Sequence, residues 1–319
     1  MAKVYVTRPI SEVGINLLKE KFDVEVNPGN RVLSKEELKE KVKGVDAILC
    51  LLTDKIDGEV LDAAGTQLKI VANYAVGVDN IDVEAAKQRK IVITNTPGVL
   101  TEAVAEHAIT LLLSAAKSIV SADNFVLTGN YKQWEPKGFL GPQVSGKTLG
   151  VVGLGRIGSM VAKFAKVGLG MSIVYYDVKR NAEFEKEFSA RFGSLDEVLR
   201  EADFISIHVP LIPATKHLIN AEKLSLMKKT AILVNTSRGP VVDEAALVEA
   251  LKNKQIWAAG LDVFENEPEL SSGLAKLPNV VLTPHTASAT FEARDAMSRM
   301  AAENIIAALE GKAPPNVVQ

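Results

Sequence analysis

One segment, residues 149–177, constrains the fold of this chain more than any other. An apolar run ends in the sequence GLGRIG at residues 153–158, a helix-like pattern follows, and a second apolar run stops at an acid. Gly153 permits the tight turn out of a strand, Gly155 lets the backbone approach a pyrophosphate, and Gly158 allows helix and strand to pack closely. This order predicts a βαβ unit that binds a dinucleotide, with the phosphates at the helix N-terminus.

Asp177 is the acid at the end of the second run, about 20 residues after the last glycine, where a carboxylate accepts hydrogen bonds from ribose hydroxyls. The same carboxylate would repel a 2′-phosphate, so the sequence predicts NAD as the cofactor. Lys179 and Arg180 follow closely and would neutralise a phosphate if their loop turned inward. NADP therefore stays open as the less favoured alternative.

Length and composition predict a globular protein of two domains. The chain has 319 residues, of which 47% are hydrophobic and 24% charged. A net charge of −2 without a basic tract argues against a nucleic-acid partner. The N-terminus lacks the apolar core of a secretory signal, and the most apolar stretch, residues 103–120, contains Glu106, His107 and Lys117. We therefore expect no membrane span and a cytoplasmic location.

Cys50 is the single cysteine, so no intrachain disulfide can form, and its apolar neighbours predict a buried strand thiol. No pair of histidines or cysteines has the spacing of metal ligands, so we expect no metal site.

Strand-like runs alternate with helical patterns along most of the chain, which predicts parallel sheets covered on both faces. A capping box, Ser34 with Glu37, opens one of the early helices. Residues 101–128 are interpreted as one long helix between two α/β units, and six strands are expected in the second unit. The predicted fold class is α/β, with two doubly wound parallel-sheet domains. A Rossmann NAD-binding domain, residues 100–289, is inserted in a flavodoxin-like substrate domain, residues 1–99 plus 290–319.

Three candidate catalytic residues, Arg238, Glu267 and His285, each follow a predicted strand of the second sheet. Ligands bind at the carboxyl ends of strands in such sheets. A guanidinium can clamp a carboxylate, an imidazole can deliver a proton near neutral pH, and a nearby carboxylate favours the imidazolium form. This set suits reduction of a carbonyl beside a nicotinamide. His208 also follows a strand, with a cofactor-edge or a core role left open, whereas His107 and His217 are interpreted as structural.

The chain resembles the D-2-hydroxyacid dehydrogenase family over essentially its whole length. The motifs that carry the resemblance are NYAVGVDNID (residues 73–82), NTPGVLTEAVAEHA (95–108), VGLGRIG (152–158), NTSRGPVVDEAAL (235–247), GLDVFENEP (260–268) and TPHTASAT (283–290). The resemblance implies catalytic roles for Arg238, Glu267 and His285, and substrate contacts at Leu52, Val76, Gly77 and Arg238. The expected cofactor contacts are Thr101, Gly153, Gly155, Arg156, Ile157, Gly158, Asp177, His208, Pro210, Thr215, Thr236, Asp262, His285 and Ala287.

In the mechanism that the resemblance implies, Arg238 and the backbone at Val76–Gly77 hold a 2-keto acid while protonated His285 donates to the carbonyl oxygen as hydride arrives. The loop at residues 50–53 contains no cation, which argues against a phosphorylated substrate. Leu51-Leu52 and the TPHTASAT segment are most similar to glyoxylate and hydroxypyruvate reductases. We therefore expect NAD(H)-dependent reduction of glyoxylate or hydroxypyruvate to the D-2-hydroxy acid by a homodimer.

Two neighbouring activities remain as alternatives, those of D-3-phosphoglycerate dehydrogenase and of a D-lactate-type dehydrogenase. An alternative from another class is an NAD-sensing corepressor that binds the cofactor without turnover. Phosphite dehydrogenases are disfavoured, because they carry a lysine near the position of Val76.

Overall fold

The computed structural model describes residues 1–318 of the chain, which divides into two compact units. Unit 1 comprises Met1–Leu100 and Ala289–Gln319, and unit 2 comprises Thr101–Ser288. Each unit contains one parallel sheet with helices, so the predicted α/β class with two doubly wound sheets is confirmed.

Unit 1 is built on a five-stranded parallel sheet in the order β2-β1-β3-β4-β5. Strands β3 and β4 are buried along their whole length, as expected for central strands covered on both faces. Its first nine elements are β1 (Lys3–Val6), α1 (Glu12–Lys19), β2 (Asp23–Val26), α2 (Lys35–Lys41), β3 (Ala47–Cys50), α3 (Gly58–Ala64), β4 (Ile70–Asn73), α4 (Val83–Gln88) and β5 (Val92–Thr94).

Two local predictions in unit 1 are confirmed. Ser34 and Glu37 form a capping box at the start of α2, where each side chain bonds the backbone N–H of the other residue. Cys50 is a fully buried thiol at the end of β3.

Unit 2 contains a seven-stranded parallel sheet in the order β12-β11-β10-β9-β6-β7-β8. The strand order reverses at β6, which lies between β9 and β7, and such a switch point is where these sheets bind ligands. Its elements are α5 (Thr101–Ala116), α6 (Ile119–Leu127), β6 (Thr148–Val152), α7 (Arg156–Leu169), β7 (Ser172–Tyr176), α8 (Ala182–Phe188), β8 (Arg191–Phe192), α9 (Leu195–Glu201), β9 (Phe204–Ile207), α10 (Ala221–Leu226), β10 (Ile232–Asn235), α11 (Glu244–Lys252), β11 (Ala258–Leu261) and β12 (Val280–Leu282).

Six strands were expected in unit 2, and the seventh is the short edge strand β8. Both of its residues, Arg191 and Phe192, are exposed. Two residues without a buried face give no periodic pattern, so the sequence carried no signal for this strand.

The prediction of one long helix over residues 101–128 is wrong. Helices α5 and α6 meet at a bend of 63°, and Ser118 between them adopts the left-handed conformation with φ 52°. Nine residues of α5 are buried whereas none of α6 is, so the helix breaks where the chain leaves the core. No single helix among residues 1–318 is long and apolar enough to cross a bilayer, and only this bent pair passes on length and composition together.

The last helix, α12 (Phe291–Leu309), completes unit 1 by packing against α1 and β4. The two helices approach so closely at Gly14 that a Cβ there would lie 2.1 Å from the carbonyl oxygen of Ser298. The Ser298 hydroxyl accepts a hydrogen bond from the Gly14 N–H (3.1 Å) and donates one to the Ser11 carbonyl (2.7 Å). Unit 1 therefore depends on both ends of the chain.

Candidate active site

Arg238 lies in a loop that the buried amide of Asn235, the last residue of β10, shapes. Asn235 Nδ2 donates to the Arg238 carbonyl at 3.0 Å, and its Oδ1 accepts from the N–H (3.0 Å) and hydroxyl (2.9 Å) of Ser237. The guanidinium of Arg238 itself donates to the Ser237 carbonyl at 2.8 Å. Asn235 thereby fixes the backbone from which the Arg238 side chain extends.

Gly239 brings this loop against the segment that follows β11. A Cβ at Gly239 would lie 1.9 Å from the carbonyl carbon and oxygen of Phe264, a distance that no side chain can occupy. Glu267 lies three residues beyond Phe264 in the chain. The absence of a side chain at Gly239 therefore places the Arg238 loop beside the segment that carries Glu267.

Glu267 and His285 form a hydrogen-bonded pair. Glu267 Oε2 lies 2.8 Å from His285 Nδ1, and Glu267 Oε1 accepts from the Phe264 N–H at 3.0 Å. The backbone of His285 is left-handed with φ 54°, and its N–H donates to the carbonyl of Asp262 at 2.8 Å. Such a conformation is costly for a residue with a Cβ, so the surrounding hydrogen bonds must hold it.

Asp262 is the buried centre of those hydrogen bonds. Its Oδ1 accepts from the Thr283 hydroxyl (2.6 Å) and the Thr286 N–H (2.7 Å), and its Oδ2 accepts from the Ala287 N–H (2.8 Å). Burial is the largest influence on the pKa of Asp262 and raises it, but the hydrogen bonds outweigh burial and lower the pKa below its usual value. The ionised carboxylate thus shapes the loop on either side of His285.

His107, which the sequence suggested was structural, joins this network from α5. Its Nε2 lies 3.0 Å from the Thr283 hydroxyl and 3.4 Å from Asp262 Oδ1. His107 lies inside a helix rather than after a strand, so a search for polar residues at the ends of strands does not identify it. Its place in the motif at residues 95–108 was the available signal.

The loop that carries Glu267 is anchored at a second place by the buried carboxylate of Glu244, at the start of α11. Glu244 accepts from the N–H groups of Glu265 (2.8 Å) and Ser271 (2.7 Å). His217 Nε2 lies 2.6 Å from Glu265 Oε1, and this pair extends the anchor. These contacts flank Glu267 on both sides.

The glycine loop, residues 153–158, has the geometry of an anion cradle. Gly153 has φ +96°, and a Cβ at Gly158 would lie 2.0 Å from the Gly153 carbonyl oxygen. Gly155 is the N-cap of α7 without a side-chain cap, and the N–H groups of Arg156 and Ile157 have no acceptor in the part of the chain that the structure describes. These donors suit a pyrophosphate.

Asp177 lies next to this cradle at the end of β7. Its Oδ2 accepts from the Leu154 N–H at 2.7 Å and its Oδ1 from the Lys179 N–H at 3.2 Å. The Arg180 guanidinium is held by Glu185 through contacts of 2.7 to 3.1 Å. The Asp177 carboxylate therefore faces the glycine loop, while the Arg180 guanidinium is bonded to Glu185.

Other predicted cofactor contacts lie at the carboxyl ends of the strands of unit 2. The buried Thr236 hydroxyl, just after β10, has no hydrogen-bond partner within residues 1–318, so it is able to bond a ligand bound at this edge of the sheet. Thr215 Oγ1 donates to the Pro210 carbonyl at 2.6 Å and closes the turn after β9. Thr101 is the buried first residue of α5, and Ala287 is held by Asp262.

His208 follows β9 and bonds back to it, with Nε2 2.7 Å from the Ser206 hydroxyl. Although part of the residue is accessible to solvent, desolvation lowers the pKa of His208 to about 3. The ring is therefore neutral near pH 7. It can offer a hydrogen bond to a cofactor but cannot act as a cationic acid.

In unit 1, the predicted substrate loop at Val76–Gly77 has carbonyl groups that accept hydrogen bonds from asparagine side chains. Asn95 Nδ2 donates to the Val76 carbonyl at 2.7 Å, and Asn73 Nδ2 donates to the Gly77 carbonyl at 2.8 Å. The N–H groups of Val76 and Gly77 have no acceptor among the residues described. Leu52 is partly exposed in the loop after β3.

Within residues 1–318 no group of three or more His, Cys, Asp or Glu could hold a metal ion.

Comparison with known proteins gives consistent matches. A family model described as D-isomer specific 2-hydroxyacid dehydrogenase, NAD binding domain, matches residues 109–287. The glyoxylate reductase of Pyrococcus furiosus is 53% identical over 320 residues, which is 99% of this chain and 95% of the relative.

Solved structures match over nearly the same length. A glyoxylate reductase from Paecilomyes thermophila superposes with a TM-score of 0.89 at 31% identity, covering 99% of this chain and 98% of the other. An NADPH-dependent glyoxylate/hydroxypyruvate reductase from Sinorhizobium meliloti, in complex with NADP and malonate, gives 0.86 at 33% identity, covering 99% and 96%.

Proposed function

Because the chain belongs to the D-2-hydroxyacid dehydrogenase family, we propose that it reduces glyoxylate or hydroxypyruvate with NADH. Membership makes it a dehydrogenase of 2-hydroxy acids, with an NAD-binding domain within unit 2. The observation that carries the proposal is the Glu267–His285 pair, at 2.8 Å, on a loop that Asp262 holds.

The pair provides an oriented proton donor. Since Glu267 occupies Nδ1 of His285, the Nε2–H of the imidazolium is the proton that passes to the substrate carbonyl oxygen. Glu267 stabilises the charged ring and holds its orientation, and its own position is fixed by the Phe264 N–H. General acid catalysis of this kind contributes roughly 10²–10⁴-fold.

Arg238 binds the carboxylate of the keto acid, because a guanidinium offers two parallel donors that match a carboxylate. In unit 1, the unused N–H groups of Val76 and Gly77 are the predicted further contacts for that carboxylate, and Leu52 is the predicted apolar contact. Unit 1 is thus proposed as the substrate domain, residues 1–99 plus 290–319, and residues 100–289 as the dinucleotide-binding domain.

The residues of unit 2 fit a dinucleotide. The uncapped start of α7 accepts the pyrophosphate, Asp177 the ribose hydroxyls, and the orphan Thr236 hydroxyl offers a further donor. When bound, the nicotinamide supplies the hydride. The Sinorhizobium meliloti relative is NADPH-dependent, but Arg180 here is paired with Glu185, which supports NADH for this chain.

The test is steady-state oxidation of NADH with glyoxylate, hydroxypyruvate, pyruvate and 3-phosphohydroxypyruvate. We expect turnover on the first two and a fall in kcat/KM of roughly 10²–10⁴-fold in His285→Ala. His217→Gln, which replaces the histidine of the His217–Glu265 contact, is the matched control and should retain most of the activity, because Glu244 still holds the loop that carries Glu267. Preference for the phosphorylated acid would favour the phosphoglycerate dehydrogenase alternative, and preference for pyruvate the D-lactate type.

A variant at Glu267 separates an enzyme from a corepressor that merely keeps the same residues. In Glu267→Gln the His285 ring loses its charged hydrogen-bond partner and the contact that orients it, so kcat with glyoxylate should fall while NADH still binds. Steady-state kinetics with glyoxylate and fluorescence titration with NADH measure the two effects. NADH binding with no turnover on any keto acid would support the corepressor alternative.

We infer that the protein is a homodimer. Apolar side chains on α6 and the following segment are exposed, with Leu127 and Trp134 each at 77% of their surface. Exposed apolar groups of this kind favour association with a second copy. Sedimentation velocity should give a dimer for the wild type and a monomer for Leu127→Glu. The control is Val167→Glu, at an exposed position on α7, and a monomeric wild type would overturn the inference.

A further inference from the structure

Arg8, just after β1, places a positive charge beside the loop at residues 50–53. Its Nη2 donates to the Thr53 hydroxyl at 2.5 Å. No carboxylate of residues 1–318 lies within 4.0 Å of the guanidinium, and Thr53 is its one hydrogen-bond partner there. The loop itself contains no cation. Because β1 and β3 are neighbours in the sheet, Arg8 after β1 lies beside the loop that follows β3 and provides the positive charge there.

The loop that receives Arg8 is firmly held. Buried Asp54 accepts from the Thr7 hydroxyl (2.5 Å) and the Leu51 N–H (2.8 Å). Asn80 Nδ2 donates to the carbonyls of Leu51 and Asp54, each at 3.1 Å. These bonds fix the loop between residues 51 and 54, so Thr53 is a defined anchor for the guanidinium.

The same hydrogen bonds connect this loop to the predicted substrate loop. Asn80 Oδ1 accepts from Asn73 Nδ2 at 3.0 Å, and that amide also donates to the Gly77 carbonyl. Strands β3 and β4 are neighbours, so Leu52 and the free N–H groups at Val76–Gly77 lie at the same carboxyl edge of the unit 1 sheet as Arg8.

We propose that Arg8 determines substrate specificity by binding an oxygen-bearing group on C3 of the 2-keto acid, with a second carboxylate bound more strongly than a hydroxyl. This rests on the proposed function. A guanidinium with unused donors binds oxyanions through strong charge-assisted bonds, whereas an apolar C3 group would desolvate it without compensation. Three-carbon acids with oxygen on C3, such as hydroxypyruvate and ketomalonate, are therefore favoured over pyruvate.

The test compares kcat/KM for glyoxylate, pyruvate, hydroxypyruvate and ketomalonate in the wild type, Arg8→Gln, Arg8→Lys and Thr53→Val. Gln carries no charge, so in Arg8→Gln the ratios of hydroxypyruvate and ketomalonate to glyoxylate should fall about tenfold or more, whereas Thr53→Val keeps the charge and removes only the Thr53 hydrogen bond. Arg8→Lys should restore part of the ketomalonate ratio, and Thr53→Val should lower both ratios less than Arg8→Gln. Inhibition by tartronate, a three-carbon dianion, should weaken in Arg8→Gln more than inhibition by oxalate.

Equal losses on all four acids in Arg8→Gln would show a structural role and overturn the proposal, as would unchanged ratios. A wild type that reduces glyoxylate but neither oxygenated three-carbon acid would overturn it while leaving the proposed function intact. Absence of turnover on any acid by the wild type would overturn both.

Discussion

At the scale of single residues, the cofactor preference depends on which groups surround Asp177. Arg180 is the nearest arginine after it in the chain, and Glu185 binds that arginine. The Tyr175 hydroxyl also donates to Glu185, at 2.7 Å, and the hydrogen bond from Arg180 is the main cause that lowers the pKa of this carboxyl. Under the proposal of NADH as cofactor, Glu185 therefore binds the arginine that would otherwise be available to a 2′-phosphate.

We expect Asp177→Asn to lower the preference for NADH over NADPH at least about tenfold, chiefly through KM, because the charged acceptor for ribose hydroxyls is lost. Adding Glu185→Gln should release Arg180 and improve KM for NADPH further. Steady-state kinetics with both cofactors measure the change. A wild type that prefers NADPH would contradict this account of Asp177.

His208 makes stability depend on pH in a direction that its environment fixes. Desolvation lowers its pKa from 6.5 to about 3, so the unfolded chain binds a proton between these values that the folded chain does not. Stability from this group is thus present above pH 6.5 and is lost as pH falls toward 3. His208→Gln, which can still bond Ser206, should lose less unfolding free energy between pH 7 and 4.5. Urea denaturation at the two pH values tests this, and equal losses would refute it.

At the scale of elements, the site depends on the close approach of the loops after β10 and β11. Gly239→Ala would put a methyl group 1.9 Å from the Phe264 carbonyl, so one loop must move and carry Arg238 or Glu267 with it. We expect kcat/KM to fall by about 10²-fold, since a displacement of about 1 Å has that cost. Gly168→Ala is the control.

Gly168 is an exposed helical position in α7 with no atom within 4 Å of an added Cβ. Alanine there should raise the free energy of unfolding by about 0.5–1 kcal/mol and leave turnover unaffected. Denaturant unfolding and kinetics on both variants measure the contrast. Equal activity in the two alanine variants would show that the approach at Gly239 is unimportant.

Prediction from sequence succeeded where a local pattern dictates the structure. The glycine loop and the Ser34 capping box are examples, because turn geometry and caps depend on residues close in the chain. Prediction was incomplete where a contact depends on which strands and helices are neighbours in the fold. Arg8 reaches Thr53 because β1 lies beside β3, and His107 reaches Asp262 because α5 lies against the unit 2 sheet. The bend at Ser118 reflects where the core ends, which the apolar sequence of residues 119–127 conceals.

At the scale of the whole molecule, cofactor binding should raise stability by mass action. With NADH at 100 times its Kd, the free energy of unfolding of unit 2 should increase by about 2.7 kcal/mol. Asp177→Asn should reduce this gain at the same NADH concentration. Urea denaturation with and without NADH gives the magnitude. Hydrogen exchange should show new protection at residues 153–158, and its absence there would contradict the assigned cradle.

The return of the chain to unit 1 through α12 also sets an order for biosynthesis. A ribosome delivers the five strands of unit 1 before unit 2 and delivers α12 after it. At ~5–20 residues per second, the surfaces of α1 and β4 that α12 covers are exposed for roughly 10–60 s before α12 is complete. Unit 2 is contiguous and can complete its sheet in that interval. Until α12 is made, residues 1–100 therefore expose the surfaces of α1 and β4 that this helix covers in the folded unit.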